Sequence, residues 1–107
     1  MSFTDLQLRL VEDLFLRSRL GNLIQVTEDG CWLWTGTKAS WGYGYINWRG
    51  KHCSAHGLLY RLIVGEVPKG LELAHICLVN SCCNPLHMKP CTHAENCAME
   101  VEARRAA

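Results

Sequence analysis

Cys77, Cys82 and His87 stand in one short stretch, each separated from the next by four residues. No other feature of the chain restricts its possible folds as much. Two thiols and an imidazole at such intervals suit a compact loop wrapped around one tetrahedral zinc ion. A fourth donor must come from elsewhere. Cys31 is the best placed, because it opens the apolar run Cys31-Trp32-Leu33-Trp34 directly after the turn signal Glu28-Asp29-Gly30. A closed set of four donors is structural, not catalytic. The chain has 107 residues, enough for one small domain whose limited core gains from a metal staple. The competing reading is a loop of buried free cysteines, and Asn84-Pro85 between two donors weighs against it.

The rest of the pattern is mixed helix and strand. Thr4-Asp5-Leu6-Gln7 reads as a capping box, followed by a helical stripe of Leu6, Leu10 and Leu14 with Val11 and Phe15. That helix fades near Gly21-Asn22, so residues 1–22 read as an N-terminal helix that packs on the domain or on a second subunit. Residues 30–107 read as the domain proper. In it, Cys31 to Trp34 is a short strand, Gly36 to Trp41 a loop, and Gly42 to Trp48 a two-faced strand. Arg49-Gly50 turns the chain back into Lys51 to Cys53. Ser54 caps a helix with His56, Leu59, Tyr60 and Ile63 on one face, ended by Gly65 and Pro68. Leu71 to Ile76 is a strand. Thr92-His93-Ala94-Glu95 is a second capping box, opening a helix that runs toward Arg104-Arg105.

Hydrophobic residues make up 49% of the chain, which argues against disorder. The first ten residues carry Asp5 and Arg9 and no long apolar run, so no signal peptide is expected. No stretch reaches the roughly 18 apolar residues of a membrane helix, so no membrane partner is expected. The expected setting is reducing and cytoplasmic, where clustered cysteines bind metal more often than they pair. The net charge is only +1, but between Cys31 and Cys91 six cations face Glu66 and Glu72 alone, a net of +4. That middle segment is the one suited to phosphate, with Lys38, Arg49, Lys51 and Arg61 as candidate contacts to double-stranded DNA.

His75-x-Cys77-x4-Cys82-x-Asn84-Pro85-x-His87, followed by Asn96, resembles the zinc-binding HNH endonucleases, including the His-Cys box homing endonucleases. Gly30-Cys31-Trp32-Leu33-Trp34-Thr35-Gly36, Gly42-Tyr43-Gly44 and Ala55-His56 are similar to the phage and homing branch of that family. A phage-encoded chain of this kind would work in the host cytoplasm. The resemblance covers about residues 30–99. It implies a small α+β fold of the ββα-metal (His-Me finger) type, with His75 on its first strand, the zinc loop between the strands and Asn96 on the following helix. It also implies phosphodiester hydrolysis, with His75 as general base and Asn96 as ligand of a catalytic Mg²⁺ or another divalent ion. The residues agree. Asn96 falls in the first turn after the Thr92 cap, where free amides and the helix dipole favour an anion, and its amide oxygen suits a hard cation. A target site of many base pairs would call for a homodimer.

Relatives often carry Arg straight after the Ala-His pair, where this chain has Gly57, and after Gly-Tyr-Gly, where it has Tyr45. Arg49 and Arg61 are the nearest substitutes. Other readings remain beside these. His75 could replace Cys31 as zinc ligand, and Asn96 alone would be an ordinary surface residue. His56, on an apolar helical face, reads as a buried structural histidine. Cys53, Cys83, Cys91, Cys97 and His93 lack a convincing pattern for a second zinc site. Trp32, Trp34, Trp41 and Trp48 read as core and sheet-face residues rather than as base-stacking platforms. A catalytically dead zinc module that binds DNA or protein is the main functional alternative. A zinc deaminase would need H-x-E and P-C-x-x-C; this chain has His75-Ile76-Cys77 and no C-x-x-C. The cysteines are better used on metal than in a Cys–His thiol enzyme.

Overall fold

Among the described residues, seven of the nine helices and strands sit where local sequence signals place them. A computed structural model describes residues 2–106. Helix α1 spans Asp5–Arg17, and its capping box is complete in both directions between Thr4 and Gln7. Its stripe is only half used. Leu14 is buried, and Val11 and Phe15 pack against the core, while Leu6 is 68% exposed. Strands β1 (Ile24–Val26) and β2 (Trp32–Trp34) pair antiparallel through a tight turn at Gly30. β1 is three residues long and leaves no periodic signal.

β3 (Tyr45–Trp48) and β4 (Lys51–Ser54) form a hairpin whose two turn residues, Arg49 and Gly50, both have positive φ. Two such residues in succession match the twist of the flanking strands. The strand is shorter than Gly42 to Trp48, because Ser40–Gly42 form a 3-10 turn. Gly44 cannot be larger: a Cβ there would lie 2.3 Å from Cδ1 of buried Trp34. The hairpin runs straight into α2 (Ala55–Ile63), capped by the Ser54 hydroxyl, which accepts from the Gly57 amide at 3.2 Å.

Then come β5 (Glu72–His75), a long loop, β6 (Met88–Cys91) and α3 (His93–Ala106). β5 and β6 are antiparallel, with His75 opposite Met88 and Glu72 opposite Cys91. This strand–loop–strand–helix unit is the ββα-metal arrangement in a small α+β fold. β6 is hard to foresee because it contains Pro90, which cannot donate to a ladder. The core lies between α1, α2 and β2, where Leu14, Leu20, Trp32, Trp34, Leu58, Leu59 and Ile63 meet. Among the described residues no helix is long and apolar enough to cross a membrane.

One expectation about the tryptophans fails. Trp32 and Trp34 are buried and Trp48 is half-buried, but Trp41 is 84% exposed. It sits in the 3-10 turn with φ 69°, so its side chain points away from the core that holds the others.

Candidate metal centre and active site

The loop between β5 and β6 has little regular structure, so its shape depends on side chains. Asn84 ties it down. Its Oδ1 accepts from the Leu86 amide at 2.9 Å and caps the turn Pro85–His87, while its Nδ2 donates to the Gly30 carbonyl at 2.7 Å. The Asn-Pro-x-His segment is thereby clamped to the turn that carries Cys31. The Cys83 amide donates to the Trp32 carbonyl and the Trp34 amide to the Ser81 carbonyl, which lays the loop along the edge of β2.

These contacts bring Cys31, Cys77, Cys82 and His87 together, with their donor atoms all within 4.8 Å of one another. Nδ1 of His87 lies 3.5 Å from Sγ of Cys31 and 3.6 Å from Sγ of Cys82. With metal bonds of about 2.3 Å to sulfur and about 2.0 Å to nitrogen, a tetrahedral zinc requires an S···N edge of about 3.5 Å. Three thiols and one imidazole are also the donor set zinc prefers, so the residues fit the ion. Burial and the neighbouring Cys82 and Cys77 push the Cys31 thiol up to about 12. A central dication reverses that tendency, since it stabilises the thiolates that crowd each other. Among the described residues there is no second group of this kind. Cys83 and Cys91 are buried singly, and Cys97 lies on the surface 3.5 Å from Nε2 of His93.

His75 is outside this set. It is 9% exposed, and its Nε2–H donates to the carbonyl of Cys82 at 2.9 Å. A carbonyl only accepts, so this bond assigns the ring proton to Nε2 and leaves the lone pair on Nδ1. Burial lowers the proton affinity of His75, which keeps the ring neutral near pH 7. The ring of His56 stands edge-on to it, with centroids 4.7 Å apart, and Tyr43 lies 5.7 Å away. His56 is half-buried. Its Nδ1 is enclosed without a hydrogen-bond partner, and burial, with His75 and Arg61 nearby, lowers its pKa to about 4.

Asn96 lies one turn into α3, whose capping box is reciprocal: Thr92 and Glu95 exchange hydrogen bonds of 3.0 and 3.2 Å. The Asn96 amide proton is not free, since it already donates to the Thr92 carbonyl at 3.0 Å. The side chain is what remains. Its Nδ2 donates to Oε1 of Glu72 at 3.0 Å. A carboxylate accepts only, so the amide nitrogen must face Glu72, and Oδ1 is left for another partner. Nδ1–H of His93 donates to the same Glu72 oxygen at 2.9 Å. These two bonds, that of Asn96 first, hold the Glu72 carboxyl below its usual range. Nothing in the local sequence marks Glu72 as Asn96's partner, because the pairing runs from a strand to a helix.

His75 and Asn96 line one cavity of about 450 Å³, together with Trp41, Tyr43, Leu78 and Asn80 among others. Lys38, Arg49, Lys51 and Arg61 are exposed, and none of them is a lining residue. Arg49 lies over Trp48 in the hairpin turn, 6.0 Å from the ring centre. Arg61 lies on α2 with His56 and Gly57. Its NH1 lies 3.6 Å from where a Cβ on Gly57 would be, one residue beyond His56.

A family model described as HNH endonuclease matches residues 53–98, the stretch from β4 to the start of α3. That segment is similar to the HNH endonucleases. The HNH segment thus holds His75, Asn96 and three of the four clustered donors, with Cys31 reaching in from β2's side. Protein 2.8 of Escherichia phage T7 is 37% identical over 83 residues, which take in 76% of this chain and 56% of that protein. The chain therefore spans little more than half the length of that relative. No solved structure matches it.

Proposed function

We propose that this chain is a metal-dependent endonuclease of double-stranded DNA. Residues 30–107 form the working domain, the N-terminal helix buttresses it, and one zinc ion in the Cys31, Cys77, Cys82 and His87 set holds it together. The observation that carries the reading is the shared cavity. A histidine with one free nitrogen and an asparagine with one free oxygen meet there from a strand and a helix. That is a proton acceptor beside a ligand for a hard cation.

In the reaction, Nδ1 of His75 accepts a proton from water as the water oxygen bonds to phosphorus and the P–O3′ bond breaks, and the departing 3′ oxygen takes a proton from a second water to leave as the hydroxyl. The Cys82 carbonyl keeps the ring in the required tautomer. Oδ1 of Asn96 would hold a divalent cation such as Mg²⁺, which when bound supplies positive charge to the phosphate and the leaving oxygen. Glu72 fixes the direction of that amide. A single chain covers few base pairs, so recognition of a long site would require two copies. The cytoplasm, of the host for a phage protein, is the setting in which the thiols stay reduced for zinc.

Arg61 supplies the cation that Gly57 and Tyr45 lack, because its guanidinium occupies the space over Gly57. Charge-assisted hydrogen bonds contribute about 1.5–3 kcal/mol, so Arg61→Ala should slow plasmid nicking by roughly 10- to 100-fold without lowering thermal stability. Arg49→Ala should change it far less. Equal losses in both variants would remove this choice.

The function itself is tested with supercoiled plasmid. Nicked or linear product should form with Mg²⁺ or Mn²⁺ and not without added divalent ion. Absence of any product with every divalent ion, on duplex and single strand alike, would favour a DNA-binding zinc module that has lost its activity.

A further inference from the structure

Two side chains at the mouth of the cavity have no part in the reaction above. Trp41 is 84% exposed and Leu78 54%, and both line the cavity with His75 and Asn96. Both also hold left-handed backbone, with φ 69° at Trp41 and 61° at Leu78. Bulky residues are strained in that region, where glycine or asparagine is the ordinary occupant. Glycine is within reach of the fold, since neighbouring Gly42 has φ 84°. The two loops are fastened to each other, because Nδ2 of Asn80 donates to the Trp41 carbonyl at 2.8 Å. Two large apolar groups are thus held out at one rim against both hydration and backbone preference.

The geometry points to Trp41 and Leu78 as a paired apolar wedge that enters a base step of duplex DNA beside the phosphate in the cavity. This rests on the nuclease reading above. Nucleic acid is the occupant because Asn80, Asn96 and Arg104 on the cavity wall suit sugar and phosphate, with Glu100 the one anion among the lining residues. An indole stacks on any base, so the contact tolerates sequence. Apolar side chains pushed into a step unstack it and kink the duplex, which brings more of the backbone against the protein. In a chain with net charge +1, such a wedge adds grip that phosphate contacts alone would have to provide.

The test uses the His75→Ala protein, so that no strand is cut, and duplexes with 2-aminopurine at successive positions. Binding should raise emission severalfold at one step. Adding Trp41→Ala should remove that rise and weaken binding by about 5- to 100-fold, the range of a lost base–aromatic stack, and Leu78→Ala should remove the rise as well. Trp41→Phe should keep most of both. Trp41→Gly should lose the rise while melting no lower than its parent, since it relieves the positive φ. Unchanged emission at every position, or a Trp41→Ala protein that keeps the rise and the affinity, overturns the wedge. If wild type still cuts plasmid in that case, the wedge alone falls. If it neither binds nor cuts DNA, the nuclease reading falls with it.

Discussion

Removing the metal from the Cys31, Cys77, Cys82 and His87 set is expected to unfold the protein, not only to silence it. The loop from Ile76 to His87 has one 3-10 turn and no ladder of its own. It is held by Asn84, by the edge of β2 and by the four donors. Cys82 and Cys83 are fully buried within it. Without a central charge, three thiols and an imidazole are left packed against each other, and the link between the β1–β2 turn and the HNH segment goes with them. Structural zinc in small domains binds with about 10–16 kcal/mol, as much as a whole domain of this size is stable by. Elemental analysis of folded protein should give one zinc per chain, and a strong chelator should abolish the cooperative melt. Cys31→Ser and Cys82→Ser should behave like the stripped protein, whereas Cys97→Ser, on the surface, should not. Folded protein that contains no zinc, or melts unchanged after chelation, would refute the centre.

His75→Ala is expected to cost cleavage on the order of 10²–10⁴ in rate, the usual contribution of a general base, and to leave zinc content intact. The variant will not be silent in stability. It deprives the buried Cys82 carbonyl of its donor, which costs about 1–3 kcal/mol, so the melt should move down yet stay cooperative. Loss of zinc on this substitution would instead make His75 a ligand. Burial lowers the proton affinity of His75, so the free base persists below the ordinary imidazole pKa near 6.5. The acid limb of kcat/KM should accordingly fall below pH 6.5. Asn96→Ala should differ in kind. Activity should drop through weaker metal binding and recover in part at high Mg²⁺ or Mn²⁺. A loss that no metal concentration restores would give Asn96 another role.

Much of this was legible in the residues because the relevant spacings are local. The intervals between Cys77, Cys82 and His87 describe one loop. The capping boxes at Thr4 and Thr92 each lie within four residues, and Arg49-Gly50 carries its turn in its own backbone preferences. The choice of Cys31 as fourth donor also followed from a local cue, a cysteine directly after a turn. Its nearness to the loop is a tertiary fact carried by Asn84 and Gly30, which are 54 residues apart in sequence. Short strands escaped notice where length or Pro90 removed the periodic signal.

The sequence by itself determined the donor types, the starts of the helices and the HNH order of His75, zinc loop and Asn96, since each depends on neighbours within about a turn or a loop; the end of α1, expected near Gly21-Asn22 and found at Arg17, it did not. Only the tertiary structure decided which nitrogen of His75 is free, which way the Asn96 amide faces, and that Trp41 leaves the core. Those outcomes depend on contacts that no local signal pairs: the Cys82 carbonyl across the zinc loop, and the distant Glu72 carboxylate and Asn80 amide. A hydrogen bond acts over about 3 Å in space, whatever the separation in sequence.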